Sequence, residues 1–184
     1  MGLKFGTSGL RGLAVDLLSR AAATFTIAFI HHLLASGHIQ IGDRVFVGRD
    51  LRESSPKIAA QCLNALAHAG MVPVDCGALP TPALALHAGA NRAAAIMITG
   101  SHIPADRNGL KFYRPDGEIE KVDETSIAAR AADLVKSESI EPAAPFPVDE
   151  ADAAWARYRE RCFAILPAGA LTGLRIGIYQ HSSV

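Results

Sequence analysis

Apolar residues along the chain switch several times between helical and strand-like spacing. Ala23, Ile27, Ile30 and Leu34 recur every three or four residues, which predicts a helix that Ser19 can cap and Gly37 can end. The short β-branched run at 44–48 predicts a strand. Ser55 and Pro56 then supply a cap and a first helical residue. Ile58, Cys62, Leu66 and Ala69 line one face of that helix, and Gly70 closes it. Residues 71–77 read as a second strand, where Pro73 favours an edge position or a bent start. Thr81 and Pro82 open a short helix to about Ala90. Ala93 to Thr99 is apolar without alternation, as expected of a strand covered on both faces. Leu110 to Tyr113 reads as another strand, reached by a step too short for a helical crossover and so expected to run antiparallel. Pro115, Asp116 and Gly117 make a turn, and residues 123–135 look helical.

Strands alternating with helices of this length predict an α/β fold: a three-layer sandwich with a mixed, mostly parallel sheet between helices. The stretch SESIEPAAPFPVDE (137–150) carries three prolines and few core-type residues, so it reads as a linker. The expected organisation is a first domain over 1–136, a linker over 137–149, and a connecting helix and strand over 150–184. That helix runs from about Glu150 to Ile165, with Trp155, Tyr158 and Cys162 on one side. The strand is LRIGIYQ (174–180), which cannot build a layer of its own and reads as the start of a second domain.

Composition narrows the function. With 184 residues, 49% of them hydrophobic, the chain can bury one full core. Its 18 basic and 18 acidic residues balance, so no dominant nucleic-acid or anionic-membrane surface is expected. Cys62, Cys76 and Cys162 form no CxxC pair, which fits small core residues in a reducing compartment. The N-terminus passes directly into glycine and charged residues, unlike a secretory signal, and Gly6 breaks the myristoylation pattern. Ala21 to Ile30 is too short to span a bilayer. A cytoplasmic protein is the expectation. His31, His32, His38, His68, His87 and His181 lack ligand-like spacing with Cys, Asp or Glu, and read as surface or packed residues.

Three polar segments carry candidate chemistry. In TGSHIPADRNGLKFY (99–113), Ser101 lies just beyond the carboxyl end of the most apolar strand, where ligands bind in open α/β sheets. Gly100 leaves its hydroxyl unobstructed, His102 and Lys111 could move protons or neutralise oxyanions, and an Asn108-Gly109 turn would bring Lys111 back. The plain alternative is a polar loop with a hairpin turn. In KFGTSGLRG (4–12), Thr7, Ser8 and Arg11 between glycines could hold a phosphate, or the segment is a flexible tail. In VGRDLRESSP (47–56), Arg49 and Arg52 could bind an anion, though salt bridges to Asp50 and Glu53 explain most of these charges. Ser54 and Ser55 read as helix caps. A serine hydrolase would want G-x-S-x-G, and a histidine directly after the serine is poorly placed as its base.

Together, FGTSGLRG, VGRDLRESS and TGSHIPADRNGLKFY resemble, in order and spacing, the α-D-phosphohexomutase family of phosphomannomutases, phosphoglucomutases and phosphoglucosamine mutases. The family's serine loop reads T-A-S-H-N-P followed by N-G-x-K. Thr99, Ser101, His102, Pro104, Asn108, Gly109 and Lys111 match it. Gly100 stands for alanine and Ile103 for asparagine, which removes an amide near the serine. The T-G-S-H-I-P form is most similar to a bacterial phosphomannomutase branch serving surface-polysaccharide synthesis.

The resemblance implies that Ser101 is a phosphoserine that passes its phosphoryl group to a sugar monophosphate through a hexose 1,6-bisphosphate. It implies catalytic roles for Lys111, His102 and Arg11, and substrate-binding roles for Thr7 and Ser8. It implies Mg2+ held against the phosphate of Ser101, with the bisphosphate as activator. The family's D-G-D-x-D-R metal loop is absent, since Asp116-Gly117 runs into Glu118, and so are its sugar-selecting and phosphate-clamping loops. The chain is therefore expected not to complete a mutase cycle alone and to expose apolar faces that favour self-association. A non-catalytic α/β module that binds sugar phosphates or docks on a partner is the alternative.

Overall fold

Residues facing opposite ways along the central strands build two separate cores. Val45, Val47, Ile96, Ile98, Leu110 and Phe112 belong to one buried cluster; Phe46, Ala95, Met97 and Tyr113 belong to the other. That two-residue period places the sheet between two helical layers. The computed structural model describes residues 2–6, 9–137, 146–180 and 183–184. Its elements are β1 (Lys4–Phe5), β2 (Leu10–Leu13), α1 (Ala14–Asp16), a π turn over Leu17–Ala21, α2 (Ala22–Ala35), β3 (Arg44–Arg49) and α3 (Ser55–His68). Then follow β4 (Val72–Ala78), α4 (Thr81–Ala90), β5 (Ala94–Ile98), β6 (Arg107–Arg114), β7 (Gly117–Glu118), α5 (Lys121–Ser137), β8 (Val148–Asp149) and α6 (Ala151–Phe163).

The sheet runs β1-β2-β6-β5-β3-β4-β8, with β7 also paired to β6. β5, β3, β4 and β8 pair in parallel, while β6 runs antiparallel to both β5 and β2. The fold is thus the expected α/β sandwich with a mixed sheet. β5 is buried at every residue, consistent with its unbroken apolar run. α2, α3 and α5 cover one face through Phe29, Ile30, Leu33, Ile58, Leu66 and Ile127. α4 and α6 cover the other through Leu84, Ala88 and Ala154. Fully burying side chains such as Phe29, Phe46 and Phe112 contributes about 1.5–3 kcal/mol each.

Several local expectations change. The first helix begins at Ala14, and Ser19 sits in the π turn, donating to the Asp16 carbonyl (2.6 Å) rather than capping an end. The stretch Ala14–Ala35 is long and apolar enough to cross a bilayer, but half of its most apolar window is buried inside this fold. The N-terminal segment is no tail: β1 and β2 extend the sheet antiparallel. Pro73 is buried in β4, and β8 pairs only Val74 and Asp75 beyond it.

Residues 138–145 of the expected linker lie outside the described residues. Beyond them, α6 packs beside α4 on the second of these cores. Trp155 donates to the Ala78 carbonyl (3.0 Å), Glu150 pairs with Arg44 and His87, and Arg157 donates to Nδ1 of His87 (3.2 Å). Residues 174–180, expected as a strand, pair with no other strand among the described residues. Leu174, Ile176, Ile178 and Tyr179 are exposed there.

Candidate active site

The site begins where β3 and β5 end side by side. The Asp50 amide donates to the Ile98 carbonyl (2.9 Å), so the turn after β3 is tied to the last residue of β5. The carboxylate of Asp50 then accepts from the Gly100 amide (3.0 Å), the Arg52 amide (3.1 Å) and the Ser55 hydroxyl (2.5 Å). Thr99 Oγ1 accepts from the Ser101 amide (2.9 Å). These bonds lift Ser101 out of the strand direction, at φ 51°, a left-handed conformation uncommon for a residue other than glycine. Its side chain is exposed, and its Oγ lies 3.2 Å from Nδ1 of His102. The kink overturns the expectation that the adjacent histidine is badly placed, because the two side chains fall within hydrogen-bond reach.

Asn108 and Gly109 form no turn. Both lie inside β6, opposite Gly12 and Arg11 of β2. Asn108 is fully buried; its amide donates to the Ser54 and Ser55 hydroxyls (2.9 Å each), and its Oδ1 accepts from the Gly109 amide (2.8 Å). Ser54 and Ser55 therefore serve as acceptors for Asn108, and no side-chain cap bond forms at the start of α3. Gly109 leaves room for its neighbours: a Cβ there would come within 2.6 Å of the Leu10 carbonyl and 3.2 Å of Arg11 Cγ. Gly9, at φ 79°, approaches the β6 backbone closely in the same way.

This register puts Arg11 and Lys111 on one face of neighbouring strands, because Gly109, opposite Arg11, is two residues from Lys111. Both line a cleft of about 280 Å³ together with Thr81, Thr99 and Ser101. Ser101 also borders a second, wider cleft of about 670 Å³ on the side of Asp50, Glu53 and Ile103. Lys111 Nζ donates to Glu118 of β7 (2.7 Å) and stands 5.3 Å from the centre of the Tyr113 ring. Partial burial would lower its pKa, but Glu118 and Tyr113 outweigh that and raise it, so the ammonium is held charged. Thr7 and Ser8 lie outside the described residues.

Arg52 is the residue whose part the sequence did not disclose. Beyond its contact with Asp50 (3.4 Å), its guanidinium donates to four carbonyls of the serine loop and its return strand. Among the described residues no three His, Cys, Asp or Glu side chains gather to hold a metal, and both oxygens of Asp50 accept protein hydrogen bonds. The described residues thus form no self-contained magnesium site.

The sequence model of the phosphoglucomutase/phosphomannomutase α/β/α domain I matches residues 2–137. The chain belongs to this family. It is 54% identical over 185 residues to a phosphomannomutase of Sinorhizobium fredii, covering 100% of this chain and 39% of that protein. It is 41% identical over 182 residues to a phosphomannomutase of Salmonella muenchen, covering 99% of this chain and 36% of that one. Among solved structures, a Thermus thermophilus protein assigned as a phosphomannomutase superposes with a TM-score of 0.73 at 28% identity, over 94% of this chain and 38% of that one. The chain therefore spans about two fifths of the length of these relatives. The matched region of this phosphohexomutase domain I holds Ser101, Arg11 and Lys111, and ends before α6.

Proposed function

We propose that this chain supplies the phosphoserine domain of a phosphohexomutase of phosphomannomutase type, with Ser101 as the phosphoryl carrier. The observation that supports it is the convergence of Ser101, Arg11 and Lys111, from three strands or strand ends, on one cleft. Phosphoryl transfer needs positioning and charge neutralisation above all. A sugar hydroxyl attacks the phosphorus on Ser101; the new P–O bond forms as the bond to Oγ breaks, and the hydroxyl proton passes to solvent water, from which His102 is reprotonated after each transfer. Lys111 and Arg11 neutralise the non-bridging oxygens, and the raised pKa of Lys111 fits a permanent cation rather than a base. His102, 3.2 Å from Oγ, can hand a proton to the departing seryl oxygen. The 1,6-bisphosphate so formed, once turned over, returns its other phosphate to Ser101. Magnesium would meet this chain at the Ser101 phosphate.

The test is incubation with a hexose 1,6-bisphosphate and magnesium, in the chain alone and in the chain joined to whatever sequence follows Val184 in its gene. The longer protein should gain the mass of one phosphoryl group, mapped to Ser101, and interconvert mannose 1- and 6-phosphates; the 184-residue chain alone should not turn over. Label retained by Ser101→Ala, or undiminished turnover by that variant, overturns the reading.

A further inference from the structure

We propose that Thr81 is a substrate-positioning residue, whose hydroxyl accepts a hydrogen bond from a ring hydroxyl of the sugar in the Ser101 cleft. The proposal rests on Ser101 as the phosphoryl carrier, and it gives the cleft a group that reads the sugar beside those that neutralise the phosphate.

A sugar monophosphate presents two chemistries. Its phosphate oxygens accept hydrogen bonds, while each of its hydroxyls also has a proton to donate. The cleft of about 280 Å³ answers the phosphate with Arg11 and Lys111. Both side chains carry donors and no acceptor, so neither can receive a hydroxyl proton. Three hydroxyl side chains line the same cleft: Ser101, Thr99 and Thr81. Ser101 carries the phosphoryl group, and its Oγ lies beside His102. Thr99 Oγ1 accepts from the Ser101 amide and is committed to the serine loop. Thr81 makes no side-chain hydrogen bond among the described residues. The rest of the lining is two leucines and Gly109, with no polar side-chain atom. Thr81 is thus the side chain of this cleft whose acceptor is free for a sugar hydroxyl.

Its backbone is fixed in advance. The Leu79 amide donates to the Arg49 carbonyl (3.1 Å), which ties the end of β4 to the end of β3. One residue further, the Asp50 amide ties the end of β3 to β5, just before the serine loop. Thr81 and Ser101 therefore follow strands on either side of β3, and both are anchored at its end. Pro80 and Pro82 restrict φ on both sides of Thr81. The Ala83 and Leu84 amides close on the Pro80 carbonyl (2.9 and 3.3 Å), and both side chains are fully buried. A half-buried hydroxyl on so constrained a backbone loses little freedom when a ligand engages it. The helix start explains the prolines and leaves the threonine hydroxyl without a task inside the fold.

The experiment uses the chain joined to the sequence that follows Val184 in its gene. Ser101 is first phosphorylated from a hexose 1,6-bisphosphate, and the excess sugar is removed. Mannose 6-phosphate is then added, and transfer to the sugar is read beside loss of the phosphoryl group to water as inorganic phosphate. Only protein folded well enough to take the label is counted, so the ratio of the two rates is independent of folding yield. Thr81→Val keeps the shape without the hydroxyl, and it should lower the ratio of transfer to loss about tenfold, the effect of one polar contact left unmade. Thr81→Ser should restore most of it. Of the 2-, 3- and 4-deoxy analogues of mannose 6-phosphate, one should lose with the parent what the natural sugar loses with Thr81→Val, and that analogue should be indifferent to the valine. If Thr81→Val takes no label, Thr81→Ala replaces it. An unchanged ratio overturns the inference, because Thr81 is then either a bare wall or a partner of the phosphate. A serine variant as poor as the valine overturns it too, as does equal sensitivity of all three analogues to the valine. A parent that never takes a phosphoryl group on Ser101 overturns instead the reading on which the inference rests.

Discussion

Arg52 and Lys111 both stand beside Ser101, and the protein uses their charges in opposite ways. The four Nη donors of Arg52 are taken by backbone carbonyls of the serine loop and its return strand, and its Nε lies 3.4 Å from Asp50. Lys111 lines the cleft and is held by Glu118, a carboxylate whose side chain is 59% exposed. A cation spent on carbonyls has nothing left for a ligand, whereas one paired with a wet carboxylate gives up little when a phosphate replaces that partner, since exposed pairs contribute about 0–1 kcal/mol. Position near a reactive group therefore does not decide a residue's role; the accessibility of its partners does.

The largest expected effect comes from Lys111→Met. Removing one preorganised cation from a developing anionic charge costs about 10²–10³-fold in rate. Phosphoryl transfer from a hexose bisphosphate to Ser101 should fall by that factor, while the melting temperature stays close to that of the parent. A drop in melting temperature without a loss of transfer would place Lys111 with Arg52 as a structural charge, and the contrast between them would fail.

Asn108→Ala should do the reverse. Asn108 is as close to the motif as Lys111, yet fully buried, with its amide shared between Ser54 and Ser55 and its oxygen on the Gly109 amide. Its loss leaves buried polar groups unpaired, at about 1–3 kcal/mol. Denaturant unfolding should show that loss, and the folded fraction should keep its rate of Ser101 labelling. A normal midpoint with a slowed reaction would move Asn108 from the scaffold into the chemistry.

Much of this was legible before any coordinates. The two-residue and 3.6-residue periods located the principal strands and helices, because each strand face meets its own layer of helices. Ser101, Lys111 and Arg11 stood out as reactive types in glycine-rich company at a strand end. The parts that escaped are long-range. Asn108-Gly109 carries a local turn signal, but β2 arrives from about a hundred residues away and pairs it into a strand. Ser54 and Ser55 carry a local cap signal, but the buried amide of Asn108 takes their oxygens. Arg52, between acidic neighbours, reads as a surface ion pair; its carbonyl partners lie some fifty residues on. Local propensity cannot weigh a partner whose position the fold alone decides.

Glu118→Gln sharpens the contrast with the smallest change. The carboxylate both raises the pKa of Lys111 and competes for it with any phosphate in the cleft. Because the folded pKa of Lys111 lies above its ordinary value, the pair adds stability below that ordinary value, about 10.4, and loses it as pH rises through the folded value. The glutamine variant should therefore be slightly less stable at neutral pH and indistinguishable from the parent at strongly alkaline pH. At the same time it should bind a sugar monophosphate about two- to fivefold more tightly at low salt, an exposed pair's worth, with the gain fading as salt screens the site. Tighter binding together with lower stability is the signature of a cation held in reserve. Weaker binding would mean that Glu118 orients Lys111 toward the phosphate instead of restraining it, and Lys111 would then depend on its partner as closely as the serine loop depends on Arg52.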